Sequence, residues 1–294
     1  MTPNPPWTPV PDFPRLFRPD PFRFEFAIRS STDPWFQLGP TDDPVLMGRR
    51  RLLEVLPGRH APWLPEADPV LESVFRWFGD STPTAARGEG AMLARELGSR
   101  WRPDFVLLRK DREGVFRMVG GCVCDPSSWD PAEKLGKSVA EIHSPVPTLN
   151  AELGPRIGTF MERLPADGLL VRENWGLAAV PDRNLHPALQ RPRLTAEADP
   201  DRVWLRVEHQ AFRAVPGLDG VLFVIWLTVH RLRDVLAVPG VAPLFCRALE
   251  SMPESIAVYK GLAEARMGLL VRIQETLPDS VPKDGTLGSG HAQL

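Results

Sequence analysis

One tyrosine, three cysteines and six histidines in 294 residues leave few groups with which to do chemistry. Cys122, Cys124 and Cys246 are too few and too unevenly placed for a disulfide scaffold, so reduced thiols are expected. Cys122-Val123-Cys124 offers two thiols, short of the set that a zinc or iron-sulfur site needs, and both are expected to pack as small buried hydrophobes. Charge of one sign is lacking too. A formal net charge of -2 provides no basic field for nucleic acid or an anionic membrane. No apolar run reaches transmembrane length, and prolines interrupt the first residues where a secretory signal would be continuous, so a cytoplasmic protein is expected. There is no G-x-G-x-x-G between a strand and a helix, no Walker loop, no H-E-x-x-H and no G-x-S-x-G. The chain therefore carries no sequence signature for flavin, nicotinamide or an iron-sulfur cluster. If it does redox chemistry, electrons must reach it from elsewhere.

What is plentiful is proline, at thirty-three residues, and tryptophan, at nine. Prolines crowd residues 3 to 22 and predict an extended arm wrapped over a body. Asp68-Pro69 opens an amphipathic helix, and a second is expected over residues 91 to 98. From Asp104 the pattern turns β-like: two apolar runs flank Asp111-Arg112-Glu113-Gly114, a hairpin composition. A short helix is expected from Ser127 to Lys137 and another over 153 to 163. Strands are expected at 168–180, 203–215 and 221–229, the last two joined by Pro216-Gly217-Leu218-Asp219-Gly220 and so antiparallel. Helices are expected after them at roughly 241 to 252 and 254 to 277. The expected fold class is α+β, an antiparallel sheet with flanking helices and a proline-rich arm, in a single domain. Its parts are the arm at 1–22, a sheet core at about 100–235, C-terminal helices at 241–277 and a flexible tail at 278–294.

Three segments place polar groups in apolar surroundings: Glu141-Ile142-His143-Ser144-Pro145-Val146-Pro147, Val171-Arg172-Glu173-Asn174-Trp175, and Leu205-Arg206-Val207-Glu208-His209-Gln210. In the first, two prolines stiffen the chain just after one imidazole. In the last, alternation puts Arg206, Glu208 and Gln210 on one face and His209 on the other. Such a face is either wetted by solvent or lines a pocket in which arginine binds an anion and glutamate meets a cation or moves protons. His143 is either a hydrogen-bonded core histidine or a ligand. The other histidines, His60, His186, His209, His230 and His291, are expected to be structural.

Read together, "GGCVCDPSSWDPAEKLGKSVAEIHSPVP", "VRENWGLAAV", "WLRVEHQAFRAVPGLDGVLFVIW" and "MPESIAVYKGL" resemble the haem-dependent oxidative N-demethylase family over about residues 20 to 277. The resemblance implies a PAS-like sheet holding b-type haem (heme b). It implies an oxygen-dependent removal of a methyl group from a small amine such as dimethylamine, as formaldehyde. It also implies a separate reductase subunit with FMN and a 2Fe-2S cluster. On the family's motifs, His143 falls at the axial iron ligand, Arg172 and Arg206 at partners for the haem propionates, and Glu208 at the substrate side as the catalytic acid or base. Gln210, Trp175 and Phe223 fall at the cofactor pocket, Trp175 and Phe223 as its walls or as plain core packing. The sequence departs from the family at Glu208-His209-Gln210, where E-R-Q is expected, and at Ile225-Trp226-Leu227, where I-R-T is expected. These departures imply two basic groups lost near the site. A non-catalytic haem sensor or carrier, and a haem-free interaction domain, are the other readings of the same pattern. A homo-oligomer is compatible with all three.

Overall fold

A computed structural model describes residues 7–18, 21–23, 27–81 and 90–276, and the tail expected at 278–294 lies outside them. Among the described residues the chain forms six strands and eleven helices. The strands are β1 (Arg29–Ser31), β2 (Asp104–Lys110), β3 (Phe116–Cys122), β4 (Leu169–Ala178), β5 (Trp204–Val215) and β6 (Gly220–Arg231). They make one fully antiparallel sheet in the order β1-β4-β5-β6-β2-β3.

Turn chemistry sets the pairings. Between β2 and β3 the Asp111 carboxylate accepts from the backbone of Glu113 and Val115, at 2.9 and 3.0 Å, and Gly114 takes φ +80°. That is the Asx-plus-glycine turn its composition predicts. Gly217 and Asp219, both at positive φ, turn β5 into β6 in the same way. Strand β2 then adds to the far side of β6, so two hairpins of the chain meet along the β6–β2 seam.

Alternation gives the sheet two unlike faces. On one, Val171, Ala211, Val224 and Trp226 belong to a large core with the Asp68–Phe75 and Gly90–Arg100 helices, while Leu205 and Val207 join a second core with the Val241–Glu250 and Arg266–Thr276 helices. The arm covers this face: Trp7 packs edge-on to Trp226 at 5.1 Å, and Phe17 does the same to Trp175 and Phe245. On the other face a smaller core forms around Val106, Leu108, Met118, Val221, Phe212 and Phe223. Two helices close over it, Val139–His143 and Leu149–Glu162, contributing Val139, Ile142, Ile157, Phe160 and Met161. Phe212 and Phe223 stack at 4.8 Å, a contact contributing about 0.5–1.5 kcal/mol beyond the area it buries.

Several elements differ from expectation. No helix spans Ser127 to Lys137; only Ala132–Lys134 makes a single 3-10 turn, because Ser128 sits at positive φ and Pro126 and Pro131 break the run. The helix expected from 254 to 277 is two, Glu254–Tyr259 and Arg266–Thr276, divided at Gly261 with φ +67°. Pro44–Val55, a twelve-residue helix capped by Asp43, went unpredicted, as did β1. His143 itself ends a short helical turn.

Candidate functional site

The turn that carries His143 is built locally. Ser138 Oγ accepts from the Glu141 backbone, while the Glu141 carboxylate accepts from the Ser138 backbone at 2.7 Å, a complete capping box. Arg117 on β3 reaches the same carboxylate at 3.3 Å, and Arg117 and Ser138 also form a β-bridge. After His143 the backbone of Val146 donates to the His143 carbonyl at 2.9 Å, Pro145 and Pro147 restrict the residues beside them, and Thr148 takes φ +61°. The imidazole is thus held from both sides. Its Nδ1 is shut away from solvent with no hydrogen-bond partner among the described residues. Burial pushes its pKa down, and the nearby charges of Arg172 and Lys134 add to that, so the ring is neutral at pH 7.

Cross-strand pairing assembles the facing wall. Arg172 on β4 lies opposite Gln210, Asn174 opposite Glu208, and Gly176 opposite Arg206, so all share the face on which the His143 turn packs. Glu208 Oε2 accepts from Gln210 Nε2 at 2.9 Å and from Asn174 Nδ2 at 3.3 Å. These two amides hold the carboxylate without neutralising it. Arg172 Nε is buried without a partner among the described residues; burial lowers its pKa and the Glu208 charge opposes that.

The outer edge of β4 beyond Val171 is not covered by β1, and Lys260 fills it. Placed just after the Glu254–Tyr259 helix, its Nζ donates to the Trp175 carbonyl at 2.7 Å and lies 5.5 Å from the Trp175 ring centroid. Burial drops its pKa to about 8, against the pull of Glu208 and with a push from Arg172. Tyr259 next to it is half exposed, and burial and the same Glu208 charge raise its pKa.

The sequence model of the haem-dependent oxidative N-demethylase, alpha subunit-like family matches residues 73–270. The chain belongs to that family. Within this family member, the structure brings His143, Arg172, Glu208 and Gln210 to one face, with Phe223 two positions along β6 from Ile225, the partner of Gln210. It sets two other candidates apart. Arg206 is only 3% exposed and its donors are taken: Nη1 by the Asp182 carbonyl at 2.7 Å, Nη2 by the Arg183 carbonyl at 2.8 Å, with Ser127 Oγ beyond. Burial lowers its pKa to about 10. Of the three polar positions on that face of β5, Glu208 and Gln210 stay at the site, while Arg206 is turned to loop backbone. Trp175 points to the opposite face, against Phe17 and Phe245, and meets the site only through its carbonyl.

The two departures from the family's motifs also resolve. His209 and Trp226 are cross-strand partners on the far face, so the expectation of two basic groups lost beside the site is corrected. His209 there lies 3.8 Å from Glu173, whose carboxylate takes both ends of Arg29 at 2.7 and 3.0 Å. Leu227, in contrast, does face the site, opposite Glu208.

Sequence reasoning missed Lys260 and Asn174. Asn174 had a signal, since antiparallel pairing with Glu208 is implied once β4 and β5 are neighbours. Lys260 had only its place in the MPESIAVYKGL stretch, which does not reveal that its partner is a carbonyl 85 positions away. An open cleft of about 450 Å³ lies at the Trp204 and Arg231 end of the sheet, lined by Phe13, His230 and Asp234, and includes none of these residues. Among the described residues, no group of three or more His, Cys, Asp or Glu side chains is placed to hold a bare metal ion, and no helix is long and apolar enough to cross a membrane.

Proposed function

We propose that this chain binds b-type haem on the face between the Val139–His143 turn and strands β4 and β5, and uses it to remove a methyl group from a small methylated amine. The observation that carries this is the neutral imidazole of His143, whose buried Nδ1 has no partner among the described residues: a ring held on both sides by capping and proline, with a nitrogen unused, would suit a ligand of the haem iron. Arg172, with its unused buried Nε, fits the carboxylate side of the same group. The PAS-like character of the sheet belongs to this proposal, with β2 to β6 as its five strands and the His143 turn inserted between β3 and β4.

Bound haem would supply oxygen chemistry at the N-methyl carbon, releasing it as formaldehyde. Glu208 would do the rest of the work on the substrate side. Its carboxylate, oriented by Asn174 and Gln210, attracts a protonated amine by about 4 kcal/mol at 4 Å and an effective dielectric near 20, before desolvation. It is also placed to take a proton from that amine or return one. Phe212, Phe223 and Leu227 keep that face apolar, which excludes water and strengthens the attraction. The family's description as an alpha subunit implies a partner subunit, for which a reductase with FMN and a 2Fe-2S cluster is the proposed identity.

A spectrum of the purified protein tests the ligand first. A Soret band is expected in the wild type and its loss or displacement in His143→Ala. Formaldehyde release from dimethylamine with oxygen and an artificial electron donor then tests turnover. Haem bound without turnover would support the sensor or carrier reading instead, and no haem at all the haem-free one.

A further inference from the structure

On the site face β4 presents Arg172, Asn174, Gly176 and Ala178 in turn, and β5 sets Gln210, Glu208, Arg206 and Trp204 opposite them. Gly176 stands inside the strand, where a glycine weakens pairing and offers no side chain to pack. Three ordinary reasons for a glycine are missing. The register of Leu170 to Ala178 against Phe212 to Trp204 runs without a bulge, Gly176 is not at positive φ, and a Cβ added to it would meet no atom within 4 Å among the described residues. What remains is the fourth use of a strand glycine, a floor over which a ligand lies. The other side of Glu208 is built differently. There its cross-strand partner on β6 is Leu227, only 3% exposed. Glu208 Oε2 accepts from Asn174 and Gln210, and Oε1 has no hydrogen-bond partner among the described residues. An ammonium on Oε1 therefore has a filled apolar wall towards β6 and open space over β4. Arg206, opposite Gly176, gives its donors to the carbonyls of Asp182 and Arg183, and Ala178 beyond is buried. Past Asn174 the floor presents no free charge to a polar substituent.

We infer that Gly176 determines specificity as the floor of a subsite for one alkyl substituent, and that the substrate is an unsymmetrical amine, with a methyl group on the Leu227 side of Glu208 and an apolar chain over Gly176. The inference rests on the haem and amine reading above and deepens it by naming the substrate class. Glu208 and Gly176 are diagonal neighbours across β5 and β4. Such positions lie about 7 Å apart, a gap that a chain of about three or four carbons on the nitrogen spans. Dimethylamine reaches Glu208 but leaves the space over Gly176 to water, whereas the longer chain removes its own apolar surface from water there. Closing the subsite needs no change in the fold, because alanine and valine both suit an extended backbone and valine favours it.

The test follows formaldehyde release by the full-length protein with haem, oxygen and an artificial electron donor. Its substrates are dimethylamine, N-methylbutylamine and 4-(methylamino)butanoate, whose chain matches the butyl group in length but ends in a carboxylate. Wild type should favour N-methylbutylamine over dimethylamine by about tenfold in kcat/KM, the worth of about three carbons partly removed from water. Gly176→Val should bring that ratio down to about one, and Gly176→Ala to a value between, with the Soret band and melting temperature showing that both variants fold. An unchanged ratio in Gly176→Val, no preference in the wild type, or a wild type that prefers the carboxylate-ended chain would each overturn the subsite and leave the haem reading standing. Failure of the wild type to bind haem, or to release formaldehyde from any of the three, would overturn that reading and the subsite with it.

Discussion

Two polar clusters lie inside this protein, and they differ in how completely they are satisfied. At the start of β2, Arg49 donates to the Asp104 carboxylate at 2.6 Å, to the Gly98 carbonyl at 2.7 Å and to the Pro103 carbonyl at 3.2 Å. Asp104 also accepts from the backbone of Cys124 and Asp125, and Asp125 accepts twice from Arg183. Every charge there has an opposite within reach, and the cluster ties the Pro44–Val55 helix to the sheet. Burial still pushes the Asp104 pKa up to about 6, with Arg49 opposing it and Asp125 adding to it. Along β4 and β5 the second cluster is left open: among the described residues, His143 and Arg172 each carry an unused buried nitrogen, and Glu208 accepts hydrogen bonds from neutral amides alone. A saturated network of this kind fixes a structure, while an open one is where a ligand site is sought first.

The sharpest way to break the comparison is to remove one member of each cluster. Glu208→Gln should lower formaldehyde formation by about 10²-fold or more while costing about 1 kcal/mol or less of stability, because its amide partners accept a neutral replacement and only the nearby charge felt by Arg172 and Lys260 is lost. Turnover assay and melting curve together check this; a large stability loss would place Glu208 among the structural groups. Arg49→Met, in contrast, leaves Asp104 buried without its cation and should cost about 3–5 kcal/mol of folding free energy by denaturant titration.

Acid separates a third group. Burial of Glu173 disfavours its charge, but the His209 ring and the Arg29 guanidinium outweigh that and hold its pKa at about 2. Its folded pKa lies below the unfolded one, so its contribution is present above about pH 4.5 and is lost as pH falls towards 2. About 2–3 kcal/mol of stability should disappear over that window in the wild type and not in Glu173→Gln, measured by urea unfolding at each pH. The smallest effect runs the other way. With Lys260 depressed to about 8, its burial penalty is in force below pH 8 and is relieved as pH rises towards 10.5. Apo-protein should gain about 2 kcal/mol relative to Lys260→Met across that interval. A flat difference would mean that Lys260 keeps a counter-charge already.

Much of the sheet was legible because its determinants are local. Asp111 and Gly114 mark one hairpin, Gly217 and Asp219 another, and the alternation in Trp204–Val215 sets Glu208 and His209 on opposite faces before any partner is known. The Pro44–Val55 helix escaped because its buried side includes Arg49, whose charge hides the apolar stripe. The helix expected at 127–137 failed for the converse reason: cap-like residues were present, but Pro126 and Pro131 left no room for a second turn. Within the site, His143 stood out by its prolines and Glu208 by its face. Arg172 and Arg206 looked alike.

By itself, then, the chain determined strands β2 to β6, their faces and the stiff turn around one histidine, since these arise from periods of two residues and from fixed φ angles. Tertiary structure alone decided which cations are spent and which stay available. Arg206 is consumed by the carbonyls of Asp182 and Arg183, and Lys260 is drawn to that of Trp175. Every residue has such a carbonyl, so no residue type announces it, and only folding brings it within reach of a distant charge.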